Sequence, residues 1–305
     1  MRIIQIRKVD AFTDKPLQGN PAGVVFGADQ LSEEDMLKVA SELNSSETVF
    51  ILSPTSREAN FRLKFYTPTC EVNLCGHATI AASHYLVEED IVYPIEPKTI
   101  IKYETNIGII PVEVEVCEGK PRMIYMTQAR PKLKDTSISI SEIAKALKVR
   151  EEEISHLDLP LQIVSTGLPF LIIPIGKLKT LMNMKPYLTE IHRLSEELGV
   201  VGFHLFTFET IEEESTVHTR CFAPYVGVME DPVTGTANGA LGAYLIWNKA
   251  INIDKVYALI ISEQGYTIGR PGKVYVKVEI LNNKPIKVRV GGRAVITLKG
   301  WMRID

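Results

Sequence analysis

An internal repeat constrains the fold of this chain more than any other feature of its sequence. The segment 76–87, GHATIAASHYLV, recurs 159 positions later as GTANGALGAYLI at 235–246. Without gaps, the copies agree at Gly76/Gly235, Ala78/Ala237, Ala81/Ala240, Tyr85/Tyr244 and Leu86/Leu245. Small and large apolar residues surround each segment on most sides, which predicts two buried helices rather than two surface helices.

The repeat extends beyond the two helices. An acid lies five residues before each helix glycine, and a second acid follows each helix; these pairs are Glu71/Glu230 and Glu104/Glu263. With a slip of three positions, Tyr66-Thr67-Pro68 resembles Phe222-Ala223-Pro224. Two small-residue helices can converge in composition, but agreement at several spaced positions favours a chain of two similar halves.

A chain of 305 residues is long enough for two domains of ordinary size. The repeat places the first helix in a domain of residues 1–130 plus 288–305, and the second in a domain of residues 131–287. The tail 287–304 alternates apolar and polar residues around Gly291-Gly292. Because the repeat is complete before this tail, we expect the tail to return to the sheet of the first domain.

Local patterns predict further elements. Alternation predicts a strand over 2–11, residues 15–23 have loop composition, and Ser32 with the acids after it predicts a capped helix ending near Asn44. The β-branched and aromatic run over 45–52 predicts a strand. Residues 131–136 show no clear period and are interpreted as the crossing between the halves, after which Ser141 starts a capped helix.

Composition and charge exclude several classes of function. Apolar residues at 45%, charged residues at 23% and a net charge of −3 are typical of a soluble globular protein and give no reason to expect nucleic acid. No run approaches the ~18 apolar residues of a membrane span. The small net charge favours a small-molecule partner. Four cysteines at uneven spacing suit reduced thiols, so the predicted location is cytoplasmic.

The two helix starts are the candidate site. The unpaired N–H groups and the dipole at a helix amino end favour an anion, and a substrate carboxylate is the simplest one. His77 lies at the first helix start, and Glu230-Asp231 precede the second. Together they predict a histidine and carboxylate pair suited to moving a proton. Glu47 lies at the mouth of a predicted strand, where position alone favours a solvated edge charge.

Other chemistries find less support. Cys70, Cys75, His77 and His84 are candidate metal ligands, but their spacing matches no usual zinc pattern, so no metal is predicted. Cys75 at a helix amino end is a possible nucleophile, although no acyl-transfer motif accompanies it. Glycine-rich loops for phosphate or a dinucleotide are absent from the sequence.

Four spaced motifs resemble the PhzF family, the phenazine-biosynthesis isomerase-like proteins. They are Gly19-Asn20-Pro21-Ala22-Gly23, Leu43-Asn44-Ser45-Ser46-Glu47-Thr48-Val49-Phe50, Leu74-Cys75-Gly76-His77-Ala78-Thr79 and Glu230-Asp231-Pro232-Val233-Thr234-Gly235-Thr236-Ala237. The resemblance covers nearly the whole chain. It implies an α/β (α+β) diaminopimelate epimerase-like fold with two pseudo-symmetric halves, each a curved, mainly antiparallel sheet around a central helix, and an active site between them.

The same resemblance implies roles for individual residues. Glu47 would be the acid/base that takes a proton from one carbon and returns it to another, while His77, Asp231 and Thr236 hold the substrate and steer protonation. Family members commonly have serine at the position of Thr236. The implied substrate-binding residues are Asn20, Ser46, Cys75, Gly76 and Gly235.

The implied activity is a cofactor-independent isomerisation of a small carboxylate-bearing metabolite by a protein that is commonly a homodimer. The related epimerases use two cysteines; Cys75 matches the first, but the second helix start, Thr234-Gly235-Thr236, offers none. An isomerase that acts through Glu47 is therefore favoured over an epimerase, a racemase or a dehydratase of an amino or hydroxy acid. A member that binds a metabolite or protein without turnover is the alternative outside catalysis.

Overall fold

The computed structural model describes residues 2–155, 157–252 and 256–304. The chain folds into two compact units, Met1–Thr127 with Gly291–Asp305 and Gln128–Val290. Residues 1, 156, 253–255 and 305, which the predicted domain bounds include, lie outside the described residues.

The first unit is a mainly antiparallel sheet with two helices. Its strands are β1 (Ile3–Ala11), β2 (Asn20–Phe26), β3 (Glu47–Leu52), β4 (Phe61–Tyr66), β5 (Glu71–Val72), β6 (Lys98–Thr105), β7 (Gly108–Cys117) and β8 (Lys120–Thr127); its helices are α1 (Glu33–Leu43) and α2 (Gly76–Glu88). Two strand pairs, β2 with β3 and β4 with β6, run parallel. Helix α2 packs against β1, β2, β3 and β8, and its residues from His77 to Val87 are buried, as the apolar pattern predicted.

The second unit repeats this plan. Its strands are β9 (Lys132–Asp135), β10 (Gln162–Ser165), β11 (Pro169–Pro174), β12 (Gly202–Thr207), β13 (Val217–Ala223), β14 (Val228–Asp231), β15 (Tyr257–Gln264), β16 (Gly272–Leu281) and β17 (Lys284–Gly292); its helices are α3 (Ile140–Leu147), α4 (Glu151–Ser155), α5 (Leu178–Asn183), α6 (Leu188–Leu198) and α7 (Gly235–Trp247). Helix α7 packs against β10, β11, β12 and β16 and is buried along its length.

Each unit also has outer helices on an apolar cluster of its own. In the first unit Met36, Val39 and Ala40 of α1 pack with Val25 and Phe50. Ser32 and Asp35 form a reciprocal capping box at the start of α1, and Asn44 ends it in the left-handed conformation, as predicted. In the second unit, the outer cluster includes residues of α3 and α6 with strand residues; they are Ile143, Leu147, Ile191, Leu194, Leu171, Ile173, Phe203 and Leu205.

Equivalent residues of the repeat make equivalent contacts inside the two units. Glu104 accepts the backbone N–H groups of Thr55 and Ser56 at 2.7 and 2.9 Å. Its repeat partner Glu263 accepts those of Ile211 and Glu212 at 2.6 and 3.0 Å. A carboxylate that fixes a loop through two backbone N–H groups is a reason for both copies to retain an acid.

The tail follows the path expected from the repeat. The last strand, β18 (Ala294–Arg303), pairs antiparallel with β1, from Ala11 opposite Ala294 to Ile3 opposite Arg303. The long register, interrupted by one shift between Lys8 and Val9, places this tail in the sheet of the first unit.

Three local predictions were wrong. Strand β2 starts at Asn20, within the segment 15–23 that was expected to be a loop, because Pro21 and Ala22 already pair with β1 and Ala22 pairs with Glu47 of β3. Residues 132–135 form β9, paired with β10, although their sequence shows no strand period. The cap of α3 is Ser139, with Glu142 completing the box, rather than Ser141. The short helices α4 and α5 were not predicted.

Candidate active site

The amino end of α2 organises the candidate site in the first unit. Cys75 is the N-cap residue in an extended conformation, and its side chain does not cap the helix within the described structure. The hydroxyl of Thr79 donates to the Cys75 carbonyl at 2.7 Å and fixes this end. The backbone N–H groups of the first turn therefore remain available to an anion.

His77 joins a thiol to a carboxylate. Its Nδ1 lies 3.3 Å from Cys75 Sγ. Its Nε2 lies 3.4 Å from Glu47 Oε2 and 3.2 Å from Ser46 Oγ. Since the imidazole contacts the two groups through opposite ring nitrogens, it can pass a proton between them or hold one for either.

Strands β2 and β3 position Ser46 and Glu47 beside the helix. Glu47 is the first residue of β3 and pairs with Ala22 of β2. Ser46 Oγ lies within donating distance of Asn20 Oδ1, at 3.4 Å, and of the Pro21 carbonyl, at 3.5 Å. The Glu47 side chain is 21% exposed, whereas that of His77 is 10% exposed. The Glu47 carboxylate is therefore accessible to a small molecule. It is not the solvated edge charge that its position in the sequence alone had suggested.

The close approach of β2 to β3 requires a glycine. A Cβ at Gly23 would lie 2.5 Å from Thr48 Oγ1, well inside van der Waals contact. The Gly19–Gly23 motif thus acts on the site through packing, by letting Asn20 and Glu47 lie on adjacent strands.

Glu47, Cys75 and His77 are also potential metal ligands, since one ligand atom from each falls within a 4.8 Å group. The other two sequence candidates, Cys70 and His84, are not in this group. Cys70 bonds Thr67, and burial lowers the pKa of His84 to about 4. The thiol sulfur lies closer to Nδ1 of His77, at 3.3 Å, than to Nε2, at 4.0 Å, whereas the carboxylate approaches Nε2. This arrangement suits a hydrogen-bonded relay better than a chelate.

In the second unit, the amino end of α7 carries a different set of groups. Asp231 ends β14, and Thr234, the N-cap residue of α7, donates its hydroxyl to Asp231 Oδ2 at 2.5 Å. The Thr236 carbonyl accepts the Thr166 hydroxyl at 3.3 Å. Side-chain hydrogen bonds around Asp231 and Gly235 therefore fix the amino end of α7.

A buried ion pair holds the strand before Asp231. Arg220 forms a bidentate pair with Glu230 at 2.8 and 2.9 Å, and donates to the carbonyls of Leu181 and Met184. In the first unit Lys64 and Glu71 lie 3.8 Å apart. The TyrThrPro and PheAlaPro motifs match Lys64 to Arg220, so this ion pair belongs to the repeat.

The predicted site residues thus fall into two groups. The first unit brings together Asn20, Ser46, Glu47, Cys75, Gly76 and His77, and the second unit places Asp231, Gly235 and Thr236 around the start of α7. Sequence reasoning missed Thr234 and Gln264, whose side chains contact each other at 3.1 Å. The repeat aligns Thr234 with Cys75, and that match was the available signal for Thr234.

Comparison with solved structures defines the class of fold. A hydroxyproline epimerase from Agrobacterium vitis superimposes with a TM-score of 0.65 at 14% identity, covering 99% of this chain and 91% of that one. A PhzF-family phenazine biosynthesis protein from Bacillus anthracis gives a TM-score of 0.89 at 34% identity, covering 99% and 100%. The chain has the diaminopimelate epimerase-like fold, as predicted.

The family follows from the sequence comparisons. Residues 9–300 match the family described as phenazine biosynthesis-like protein, PhzC-PhzF. An uncharacterised isomerase of Clostridium acetobutylicum is 36% identical over the full length of both chains. YddE, an uncharacterised isomerase of Escherichia coli, is 37% identical over 99% of both. The chain belongs to the PhzC-PhzF family, and its class of activity is that of an isomerase. None of the helices in the described part of the chain combines the length and apolar character needed to cross a membrane.

Proposed function

We propose that this isomerase moves a proton on a small carboxylate-bearing metabolite and that Glu47 is the acid/base that carries it. The observation on which the proposal rests is the contact of Glu47 Oε2 with His77 Nε2, at 3.4 Å, beside the amino end of α2. A carboxylate in contact with an imidazole can accept a proton and return it within one catalytic cycle.

The second unit supports a single proton carrier, because it has no room for an equivalent of Glu47. Thr48 pairs with Tyr66, and Phe203 pairs with Phe222. Tyr66 and Phe222 correspond in the repeat, so Glu47 corresponds to Gly202. A Cβ at Gly202 would lie 2.2 Å from the Phe222 carbonyl oxygen.

The amino ends of α2 and α7 supply the electrostatic part of the proposed mechanism. When a proton leaves the carbon next to a carboxylate, negative charge develops on the carboxylate oxygens. Helix N–H groups stabilise such charge without having to reorganise. In this assignment Gly76 and Gly235 allow close approach, and Asn20, Ser46 and Cys75 bind the substrate. His77, Asp231 and Thr236 orient it and steer protonation.

Solvent-deuterium exchange tests the assignment. The protein is incubated in D2O with a panel of small 2-amino, 2-hydroxy and unsaturated carboxylates, and proton NMR follows loss of each C–H signal. Glu47→Gln should slow exchange by about 10²–10⁴-fold, the usual contribution of a general acid or base. Glu113→Gln is the matched control: Glu113, in β7, has a similar side-chain exposure of 16% and forms an ion pair with Lys98 of β6. Equal rates for Glu47→Gln and wild type would refute the role of Glu47.

One observation favours an epimerase as the second candidate. Cys75 is buried at a helix amino end, and its Sγ lies 3.3 Å from His77 Nδ1, which could take a proton from the thiol. The repeat aligns Thr234 with Cys75, and burial raises the pKa of the Cys221 thiol in the second unit. Stereochemical inversion that is abolished in Cys75→Ser and retained in Glu47→Gln would establish this second activity.

The family resemblance also favours a homodimer, which we include in the proposal. Light scattering of the purified protein tests it: a mass of twice 34.1 kDa is expected, and a mass of 34.1 kDa would refute it.

A further inference from the structure

Gln264 lies at the centre of a buried polar network beside the start of α7. Its side chain is 1% exposed. The amide oxygen accepts the backbone N–H of Thr234 at 3.2 Å and the side-chain amide of Asn238 at 3.0 Å. The amide nitrogen donates to the Asp231 carbonyl at 2.8 Å and to the Thr234 hydroxyl at 3.1 Å. One side chain thus fixes both ends of the turn that carries Asp231.

The partners determine which way the Gln264 amide points. A backbone N–H can only donate, so the oxygen of the amide must face Thr234 N. A backbone carbonyl can only accept, so the nitrogen must face the Asp231 carbonyl. Because Gln264 donates into the Thr234 hydroxyl, the single hydroxyl proton is directed at Asp231 Oδ2, 2.5 Å away.

Asn238 and His204, the next residues of the network, also have defined donor and acceptor roles. Asn238 donates to the Thr234 carbonyl at 2.9 Å, so its oxygen must face His204 Nε2, at 3.2 Å, and that nitrogen must carry a proton. The other ring nitrogen of His204 is buried without a partner among the described residues. Burial lowers the pKa of His204 to about 4, which keeps the ring neutral and in this tautomer.

We propose that Gln264 is a positioning residue that directs this chain of donors onto Asp231, holding its carboxylate ionised and in one orientation as a hydrogen-bond acceptor for substrate. The chain runs from His204 through Asn238, Gln264 and Thr234, and each link donates toward Asp231. Charge-assisted hydrogen bonds to a carboxylate favour its ionised form. This inference rests on the proposed function, because it gives Asp231 its task there.

The other groups around the network do not compete for its direction. Thr219 donates its hydroxyl toward the Glu263 carbonyl or the Gln264 oxygen, at 3.2 and 3.3 Å. Cys221, opposite Asp231 in the β13–β14 pair, has a side-chain contact with Thr234. Because burial raises the pKa of this thiol, the thiol stays protonated and can donate to the Thr234 hydroxyl oxygen, in the same direction as Gln264. The charge of Glu230 is paired with that of Arg220. The Asp231 carboxylate thus lies at the accepting end of the chain of donors.

Amide hydrogen exchange of the full-length protein tests the positioning role without any substrate. Gln264→Met keeps the size of the side chain and removes every hydrogen bond. Exchange of the Thr234 N–H should accelerate by about tenfold, as expected for the loss of one hydrogen bond, with α2 unaffected. Gln162→Met is the matched control, since Gln162 is a buried glutamine of the same unit that bonds Asp135 and Asn248. Unchanged exchange at Thr234 in Gln264→Met would overturn the proposal.

Turnover and its pH profile separate positioning from a purely structural role. Gln264→Met should lower kcat on the order of 100-fold, the cost of a misplaced group, and Gln162→Met should not. Gln264→Glu can donate only while its new carboxyl is protonated, so its kcat relative to wild type should fall as pH rises. Both measurements are made where circular dichroism shows the variants folded. A pH-independent ratio, or an equal loss in Gln162→Met, would overturn positioning. Absence of wild-type exchange with every panel compound would count against the proposed function instead, while the Thr234 exchange rate would still decide this inference.

Discussion

The replacement Gly76→Ala tests whether substrate approaches the amino end of α2. An added Cβ at Gly76 meets no atom within 4 Å. The residue is the first of the helix, where alanine is accepted at least as well as glycine. The free energy of unfolding should therefore stay constant or rise by about 0.4–1 kcal/mol, because the unfolded chain loses freedom.

The same methyl group would enter the open space beside Gly76, where the proposal places the substrate carboxylate. Loss of one hydrogen bond to a charged carboxylate costs about 1.5–3 kcal/mol. At about 1.4 kcal/mol per factor of ten, kcat/KM should fall by about 10- to 150-fold. The assay is C–H exchange in D2O, run beside thermal unfolding of the same preparation.

Gly300→Ala is the control for this prediction. Gly300 lies in β18 of the same unit, and its added Cβ would make only an ordinary contact with Leu298 at 3.7 Å. It should leave kcat/KM unchanged. If Gly76→Ala also left kcat/KM unchanged, the amino end of α2 would not be the carboxylate site.

Two further predictions concern stability. Glu263 is fully buried 2.7 Å from His218; burial alone would raise its pKa, but the bonds from His218, Ile211 and Glu212 lower it below 4.5. A carboxyl group whose pKa is lower in the folded chain than in the unfolded chain stabilises the fold at pH values above its unfolded-state pKa. This stabilisation is lost as pH falls through its folded-state pKa. Glu263→Gln should therefore cost about 3–5 kcal/mol at pH 7 and flatten the loss of stability below about pH 4.5, measured by urea unfolding across pH; an unchanged acid limb would contradict this. Gly202→Ala should cost at least about 1–3 kcal/mol through overpacking against Phe222, whereas an unfolding midpoint equal to that of wild type would contradict the claim that the second unit has no room for an equivalent of Glu47.

The repeat allowed much of the fold to be predicted, because equivalent residues of its two copies make equivalent contacts. Thr79 donates to the Cys75 carbonyl at 2.7 Å, and Asn238 donates to the Thr234 carbonyl at 2.9 Å. Both contacts fix the carbonyl of an N-cap residue four positions earlier. Because both helices need such a contact, a polar side chain occurs at the same position in both copies of the repeat, and the repeat is visible in the sequence alone.

The parts that escaped prediction depend on contacts between distant positions. Gln264 has no local signal, since its partners Thr234 and Asn238 lie on another element. Strand β9 has no strand period and is recognised only by its pairing with β10. Position alone made Glu47 a solvated edge acid; the resemblance to the PhzF family assigned it a role, and the structure shows its contact with His77.

The central claim is that one carboxylate takes the proton and returns it, and internal transfer of label tests this most directly. A substrate identified in the exchange panel is prepared with deuterium on the carbon that loses the proton, and a single turnover is run in H2O. Because Glu47 is only 21% exposed, some of the deuterium it takes up should reach the receiving carbon of the product before solvent replaces it. Deuterium at the receiving carbon, detected by NMR, is the predicted result. A product that carries only solvent hydrogen at that carbon would contradict the claim.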